Sequence, residues 1–240
     1  MGKYGDPEYW DKRYGDQEGK TFDWYETWSD LEELLGKYMT KTAKILVIGC
    51  GNAEFSEEMY DAGYTNVVNI DTCSIVIEQM KIRTQDRPHM QWEVMDCTDL
   101  KFEDGSFDIC IDKGMIDTLF CGSMPFLNAA KLTNEIQRVL KPSGIYFVVS
   151  YGIPEKRLFH FKRDHLDFSI STFIIKPETP ESEKEKSNKI HYIYICTKGD
   201  DAETAQENWP MVREQLEEED SKDCSDSETA APSPREDSSS

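Results

Sequence analysis

The 240-residue sequence is poor in positive charge and contains no long apolar run. It carries 27 Lys and Arg against 47 Asp and Glu, a formal net charge of −20 at pH 7. Nucleic-acid backbones are neutralised by clustered basic side chains, so this balance argues against a nucleic-acid partner. No window approaches the roughly 18 consecutive apolar residues that a membrane span requires. We therefore expect neither nucleic acid nor a membrane as a partner, whereas an acidic surface can attract basic proteins.

The sequence also lacks signals of export and of a disulfide framework. Its start, MGKYGDPEYW, has neither the apolar core of a secretory signal nor the Arg-rich character of a mitochondrial presequence. Seven cysteines are an odd number, and no two of them form a C-x-x-C pair, which argues against disulfides and against a clustered zinc site. We expect a cytoplasmic monomer without a bound metal, in which most cysteines are small buried hydrophobic residues.

Short apolar segments alternate with helical patterns through the middle of the chain. The expected strands are 44–48, 66–70, 90–95, 106–112 and 145–151, and the expected helices are 55–62, 74–83 and 127–140, with a turn at 141–144. This alternation predicts right-handed βαβ crossovers and a mainly parallel sheet. Two further alternating segments, 166–176 and 190–198, predict an antiparallel pair at the sheet edge. The predicted fold class is α/β, a Rossmann-like doubly wound seven-stranded sheet, mainly parallel with an antiparallel edge strand.

The composition divides the chain into a globular domain, residues 1–198, and an acidic C-terminal tail, residues 199–240. From Gly199 onward there are 14 Asp or Glu against 3 Lys or Arg, and few sizeable apolar residues. Such a segment buries too little surface to offset the entropy lost on ordering. We therefore predict a disordered tail, interrupted at most by a short helix around residues 210–219.

Three successive strand ends carry residues suited to binding a nucleoside. The first strand runs into Gly49-Cys50-Gly51, where glycines permit a sharp turn and the close approach of a ligand. Asp71 follows the second strand, where a carboxylate can accept both ribose hydroxyls, and Asp96 follows the third, where it can accept the adenine amino group. Since parallel strands end at one edge of the sheet, these residues predict a single adenosyl site.

The glycine turn fits a dinucleotide poorly, although a nicotinamide dehydrogenase would share Asp71. The G-x-G-x-x-G fingerprint requires a third small residue beside the pyrophosphate, and this chain has Glu54 at that position. A carboxylate there would repel a pyrophosphate. A nucleoside without phosphates, such as S-adenosylmethionine, fits better.

Longer motifs are more selective than the glycine turn. They are EYWDKRY at 8–14, FDWY at 22–25, ILVIGCGN at 45–52, NID at 69–71, MDC at 95–97 and DKGMID at 112–117. On these motifs the chain resembles the seven-strand S-adenosylmethionine-dependent methyltransferases, and within them the methyltransferase-like group that includes the lysine methyltransferases of elongation factor 1-alpha. The resemblance covers residues 7–150 well and the later strands loosely.

The resemblance implies S-adenosyl-L-methionine as cofactor, a protein lysine as methyl acceptor and elongation factor 1-alpha as a candidate substrate. Ring faces suit the adenosyl group and the sulfonium cation, and Lys113 suits the cofactor carboxylate. Together with Gly51 of the turn, the implied cofactor contacts fall on Trp10, Tyr14, Trp24, Gly49, Asp71, Thr72, Asp96, Cys97 and Lys113.

Two carboxylates past the fourth strand are candidates for a catalytic role. Asp112 and Asp117 lie where the acceptor should enter, and either could orient the acceptor amine. Capping of a helix over residues 114–119 is an equally good explanation for Asp117. Two other functions stay open at this point, a small-molecule methyltransferase and a non-catalytic adaptor that binds a basic partner through its acidic tail.

Overall fold

The computed structural model describes residues 3–16, 20–175 and 190–228. Within these ranges the strands are β1 (Ile45–Ile48), β2 (Val67–Asp71), β3 (Met90–Val94), β4 (Phe107–Lys113), β5 (Leu140–Ser150), β6 (Phe168–Ile175) and β7 (His191–Lys198). The helices are α1 (Pro7–Asp16), α2 (Trp28–Leu35), α3 (Phe55–Asp61), α4 (Ser74–Arg83), α5 (Met115–Leu119), α6 (Pro125–Val139), α7 (Pro154–Arg157), α8 (Ala202–Gln206) and α9 (Trp209–Glu228). Short 3-10 helices cover Lys3–Gly5 and Leu158–Phe161.

The seven strands form one sheet in the order β3-β2-β1-β4-β5-β7-β6. The pairs from β3 to β5 are parallel, and β7 is antiparallel to both of its neighbours. The predicted α/β fold with a mainly parallel seven-stranded sheet is therefore confirmed. The antiparallel strand is β7, which lies one position in from the edge because β6 pairs outside it.

The sheet is covered on both faces, as the apolar character of β1 requires. All four residues of β1 are buried. Ile45 and Val47 belong to one core cluster and Leu46 and Ile48 to another, because successive side chains of a strand point to opposite faces. Helices α2, α3 and α4 contribute to the first cluster, and α6 contributes to the second. With both faces covered, the carboxyl ends of the parallel strands remain as the place for a ligand.

The start of β5 differs from the prediction. The expected turn at residues 141–144 is instead an irregular beginning of the strand, since Leu140 already pairs with Phe107. The register shifts between Phe107 and Ile109, and Ser143 has a φ of 58°. A local irregularity of this kind accommodates Pro142, which cannot donate a ladder hydrogen bond.

Within the segment predicted as a disordered tail, residues 202–206 form α8, and the short helix allowed for around residues 210–219 lies within α9. Val212 and Leu216 pack against Leu127 and Ala130 of α6. The Asp220 carboxylate accepts a hydrogen bond of 3.1 Å from the Leu127 amide, near the start of α6. The few apolar residues of this segment suffice because the helix gathers them against a single neighbour. Residues 229–240 lie outside the described part of the chain.

None of the helices within residues 3–16, 20–175 and 190–228 is both long enough and apolar enough to cross a membrane. In the same ranges, no group of three or more His, Cys, Asp or Glu side chains could hold a metal ion.

Candidate functional site

A cavity of about 980 Å³ lies at the carboxyl-terminal edge of the parallel strands. It is lined by the glycine turn after β1, by the ends of β2 and β4, by the segment after β3 and by the N-terminal segment. Its volume is at the upper end of the range of about 300–1,000 Å³ for small-molecule sites. The cavity is therefore large enough for a nucleoside cofactor together with part of a second ligand.

The glycine turn is shaped by two close approaches. Gly49 and Gly51 have φ values of 59° and 53°, in the left-handed region that favours glycine. A Cβ at Gly49 would lie 2.6 Å from the sulfur of Met115, and one at Gly51 would lie 2.6 Å from the hydroxyl of Tyr14. Only glycine lets the first strand end so close to both side chains.

Asp71 at the end of β2 is held in place by two backbone amides. Gly51 donates a hydrogen bond of 3.0 Å to Oδ2, and Cys73 donates one of 3.0 Å to Oδ1. Burial raises the pKa of this carboxyl above its usual value. Each carboxylate oxygen can accept more than one hydrogen bond, so Asp71, which lines the cavity, suits a pair of ribose hydroxyls.

The segment after β3 presents Asp96 to the cavity and turns Cys97 away from it. Oδ1 of Asp96 accepts hydrogen bonds from the amide of Thr98 at 2.8 Å and from its hydroxyl at 2.9 Å. Asp96 and Thr98 line the cavity. The Cys97 side chain packs in the core cluster that contains Leu46 and Ile48, where burial raises the pKa of its thiol.

Aromatic rings from the N-terminal segment collect beside the glycine turn. The Trp10 ring lies 5.9 Å from the Tyr14 ring and 6.2 Å from the Trp24 ring, and its Nε1 donates to the Tyr4 carbonyl at 2.9 Å. The guanidinium of Arg13 lies 4.4 Å from the centre of the Phe22 ring. We call this group the aromatic cluster; its members are Tyr4, Tyr9, Trp10, Tyr14, Phe22 and Trp24. It forms a wall of the cavity, to which all of these rings but Tyr9 contribute.

Lys113 at the end of β4 has partners within the protein. Its ammonium contacts the Asp23 carboxylate and donates to the Trp24 carbonyl at 2.7 Å. Burial lowers the pKa of Lys113. The Lys113–Asp23 pair fixes the FDWY segment to the end of β4. Lys113 also lines the cavity, and its contact with a cofactor carboxylate stays a prediction.

The structure does not bring Asp112 to the cavity. Its side chain is 0% exposed and accepts hydrogen bonds from the amides of Met115 and Ile116, at 2.8 and 3.1 Å, and from the Tyr146 hydroxyl at 2.9 Å. Burial raises the pKa of this carboxyl to about 7. Since neighbouring strand residues face opposite sides, Asp112 points away from Lys113 and caps the start of α5.

Asp117 lines the cavity, but other groups of the protein engage its carboxylate. Oδ1 accepts from Ser150 Oγ at 2.6 Å and from Arg157 Nη2 at 2.8 Å. Oδ2 accepts from the Tyr25 hydroxyl at 2.8 Å and from the Tyr151 amide at 3.1 Å. Asp117 therefore joins three distant segments, rather than capping α5 or facing the cavity as an isolated carboxylate.

The charge of the cavity is predominantly negative. The charged residues that line it, among those described, are Asp6, Asp71, Asp96, Asp117 and Lys113; because Lys113 is paired with Asp23 and Asp117 with Arg157, Asp6, Asp71 and Asp96 account for the negative charge. Such a site favours a cationic ligand over an anionic one.

The structure places most of the predicted cofactor contacts around one cavity. Those that line it are Trp10, Tyr14, Trp24, Gly49, Gly51, Asp71, Thr72, Asp96 and Lys113. Sequence reasoning gave no role to Tyr25, Tyr151 and Asp23. For Tyr25 and Asp23, the only sequence signal was their place in the FDWY motif. Their roles could not be read from it, because Tyr25 contacts Asp117 and Asp23 contacts Lys113, each about 90 residues away.

Comparisons with known proteins agree with this architecture. Residues 46–148 match the methyltransferase domain family. The eEF1A lysine and N-terminal methyltransferase of Mus musculus is 41% identical over 169 residues, which cover 68% of this chain and 24% of that protein. The EEF1A lysine methyltransferase 4 of Bos taurus is 32% identical over 176 residues, 70% of this chain and 69% of that protein.

Among solved structures, a SAM-dependent methyltransferase from Methanosarcina mazei superposes with a TM-score of 0.55 at 18% identity, covering 74% of this chain and 99% of that one. The fold and the site over its glycine turn define the class of Rossmann-like methyltransferases. The chain belongs to the S-adenosylmethionine-dependent methyltransferase family, in the group that contains the mouse and bovine methyltransferases described above. It spans about a quarter of the length of the mouse relative.

Proposed function

We propose that the cavity binds S-adenosylmethionine and that the protein methylates a lysine side chain of another protein, with elongation factor 1-alpha as the first candidate. The observation that carries this proposal is an acidic, aromatic-lined cavity built over the glycine turn and Asp71. Its charge favours a cofactor that carries a sulfonium and an acceptor that arrives as an ammonium. The names of the mouse and bovine relatives support the choice of substrate.

The residues present fit the cofactor. The backbone of the turn at Gly49 and Gly51 borders the cavity, and Asp71 offers acceptors for ribose hydroxyls. Asp96 suits the adenine amino group, and the aromatic cluster suits the adenosyl plane and the sulfonium through its ring faces. When bound, S-adenosylmethionine supplies an electrophilic methyl group on sulfur, so the protein needs chiefly to align the acceptor and exclude water.

A lysine acceptor must lose its proton before it can act as a nucleophile. Rings that remove water from an amine lower its pKa, whereas a nearby unpaired carboxylate would raise it. Arg157 Nη2 lies 2.8 Å from Asp117 Oδ1, so the Asp117 carboxylate is already compensated, and Asp6 Oδ1 accepts a hydrogen bond of 3.0 Å from the Glu8 amide. Asp71 and Asp96 lie at the carboxyl ends of β2 and β3, away from α5. We therefore assign no general base among these residues, and the proton leaves to solvent.

The partner and the compartment follow from the same proposal. A protein with a net charge of −20 suits a basic partner surface. Elongation factors work where proteins are made, so we place the reaction in the cytoplasm. We also propose that the enzyme acts as a monomer.

Calorimetry with S-adenosylhomocysteine, followed by transfer of labelled methyl groups, tests the proposal. The acceptor is recombinant elongation factor 1-alpha made in bacteria, assayed beside a whole-cell lysate. We expect binding of S-adenosylhomocysteine and label in a lysine of the factor. Absence of binding would favour the adaptor function, and label confined to small metabolites would favour the small-molecule methyltransferase.

The first variant to test is Asp71→Ala. Loss of the carboxylate should weaken S-adenosylhomocysteine binding more than tenfold, which corresponds to about 1.4 kcal/mol or more. Asp71→Asn keeps the shape but replaces one acceptor oxygen by a donor, so it should weaken binding as well. Asp86→Ala, at an exposed carboxylate, is the matched control and should bind as the wild type does. Unchanged affinity in the Asp71 variants would show that the cofactor binds elsewhere.

A further inference from the structure

Tyr25 has a strained backbone at the wall of the cavity. Its φ is 65°, a left-handed conformation that is uncommon for a bulky residue. Strain of this kind persists only where the surrounding structure enforces it, and it is concentrated at functional sites. The half-buried ring lines the cavity, so one part of it faces the ligand space.

The ring is held in this position from several sides. Its hydroxyl donates a hydrogen bond of 2.8 Å to Asp117, and its centre lies 4.6 Å from the His191 ring. A Cβ at Gly114 would come within 2.9 Å of Cε2 of Tyr25, and Gly114 has a φ of 87°, so glycine there makes room for the ring. The position of the Tyr25 side chain is therefore determined by two segments that are far from it in sequence, residues 114–117 and the start of β7 at His191.

The group that fixes Tyr25 is an ion pair that is costly to bury. Asp117 is 3% exposed and Arg157 is 6% exposed. Taking two charges out of water is expensive, and an apolar pair of similar size could fill the same space. Asp117 holds the Tyr25 hydroxyl and the Tyr151 amide through the same oxygen, Oδ2. The pair thus orients two residues that line the cavity.

The contacts that fix Tyr25 lie on a different side of the cavity from Asp71 and Asp96, although the Tyr25 ring is 5.9 Å from the ring of Trp24, a predicted cofactor contact. The glycine turn, Asp71 and Asp96 follow β1, β2 and β3, whereas Asp117 and Tyr151 follow β4 and β5. In the sheet, β4 and β5 lie on the other side of β1 from β2 and β3. The Tyr25 and Tyr151 rings, with centres 6.5 Å apart, therefore border the β4–β5 side of the cavity, away from Asp71 and Asp96.

From this arrangement we infer that Tyr25, fixed by the buried Asp117–Arg157 pair, forms the wall that positions the acceptor side chain. The inference rests on the function proposed above. The Tyr25 ring would contact the alkyl part of an acceptor lysine and face its amine, as an aromatic surface does for a cationic or partly desolvated amine. Asp117 acts on the acceptor through Tyr25 and is a positioning residue.

Steady-state kinetics of the full chain with recombinant elongation factor 1-alpha tests this inference through two variants. Tyr25→Phe keeps the ring and loses its bond to Asp117, and Tyr25→Gly removes the ring at a φ that glycine adopts without strain. We expect the KM for the acceptor to rise about threefold for Tyr25→Phe and about tenfold or more for Tyr25→Gly. The affinity for S-adenosylhomocysteine should stay within about twofold of that of the wild type.

A structural role alone would not produce this separation of acceptor KM from cofactor affinity. Tyr38→Phe removes a tyrosine hydroxyl outside the cavity, just after α2, and should leave both constants unchanged. The melting temperature of each variant shows whether it is folded, and Tyr25→Phe, the milder change, decides the matter if Tyr25→Gly does not fold.

The outcomes distinguish this inference from the proposed function. An active wild type whose acceptor KM is the same in both folded Tyr25 variants would overturn the inference and leave the proposed function intact. An equal loss of cofactor affinity would also overturn it, because Tyr25 would then bind the cofactor. A wild type that binds S-adenosylhomocysteine but methylates neither the factor nor any protein of the lysate would overturn both.

Discussion

Two glycines, one in the N-terminal helix α1 and one in the turn that this helix faces, show how the same substitution can have opposite effects. A Cβ at Gly51 would meet the Tyr14 hydroxyl at a positive φ, whereas a Cβ at Gly15, in the last turn of α1, would have nothing within 4 Å. Tyr14 and Gly15 are neighbours in sequence, so the contrast comes from tertiary surroundings alone. At Gly51 a side chain costs strain and displaces Tyr14, while at Gly15 it lowers the entropy of the unfolded chain.

We therefore predict that Gly51→Ala lowers the free energy of unfolding by about 1–2 kcal/mol and that Gly15→Ala raises it by about 0.5 kcal/mol. Chemical denaturation of both variants measures the difference. Gly51→Ala should also weaken S-adenosylhomocysteine binding, because the new methyl group displaces the Tyr14 ring from its place beside the cavity. Equal stability of the two variants would mean that the turn adapts without strain.

At the scale of elements, α9 is longer than the short helix that the composition allowed in the tail, and its packing on α6 was not predicted. Its first turns carry an exposed Met211 beside a buried Val212, and Leu216 is 1% exposed. These buried residues meet Leu127 and Ala130, and Asp220 satisfies an amide near the start of α6. Over residues 209–220, where most side chains are exposed, the helix therefore packs through one narrow apolar stripe.

Leu216→Ala should lower the free energy of unfolding of this region by about 2 kcal/mol, because the cluster is small and a cavity would remain. Hydrogen exchange of the α9 amides is the measurement, since the loss appears as local opening. Met211→Ala is the matched control and should leave the exchange rates unchanged, as its side chain is 49% exposed. Identical exchange in the two variants would contradict the packing of α9 on α6.

At the scale of the whole molecule, buried titratable groups make stability depend on pH in opposing ways. Burial lowers the pKa of His165 to about 4 and that of His160 to about 3, so protonation of either residue favours unfolding. Burial raises the pKa of Asp112 to about 7. The folded state therefore takes up this proton at a higher pH than the unfolded chain does, so Asp112 stabilises the folded state as the pH falls through this range. The wild-type curve is the sum of these contributions, and only a difference between variants isolates one of them.

The His165 contribution is predicted from the direction of its pKa. Because the unfolded chain binds the proton near pH 6.5 and the folded chain only near 4, the stability that His165 confers is lost as the pH falls through this window. The wild type should lose up to about 1.4 kcal/mol per pH unit relative to His165→Gln. Denaturation between pH 7 and 4 measures this difference, with His89→Gln, at an exposed position, as the control. Parallel curves for the wild type and His165→Gln would contradict it.

The sequence by itself determined the seven strands with helices α3, α4 and α6, and the edge of the sheet where we propose that the nucleoside binds. Both follow from short-range patterns: apolar segments such as Ile45–Ile48 identify buried strands, and Gly49, Gly51, Asp71 and Asp96 lie at or just after the strand ends. Because parallel strands present those ends at one edge of the sheet, local spacing is enough to assemble this part of the cavity.

Only the tertiary structure decided the contacts on the β4–β5 side of the cavity, where we propose that the acceptor binds. Lys113 contacts Asp23, which is 90 residues away in the sequence. Asp117 contacts Arg157, 40 residues away, and Tyr25, 92 residues away. The docking of α9 on α6 is of the same kind, since Asp220 reaches Leu127 from 93 residues away. Such contacts have no periodicity in the sequence. They depend on which loops the completed sheet brings together, and that is why the roles of Asp112 and Asp117 could not be separated until the fold was in place.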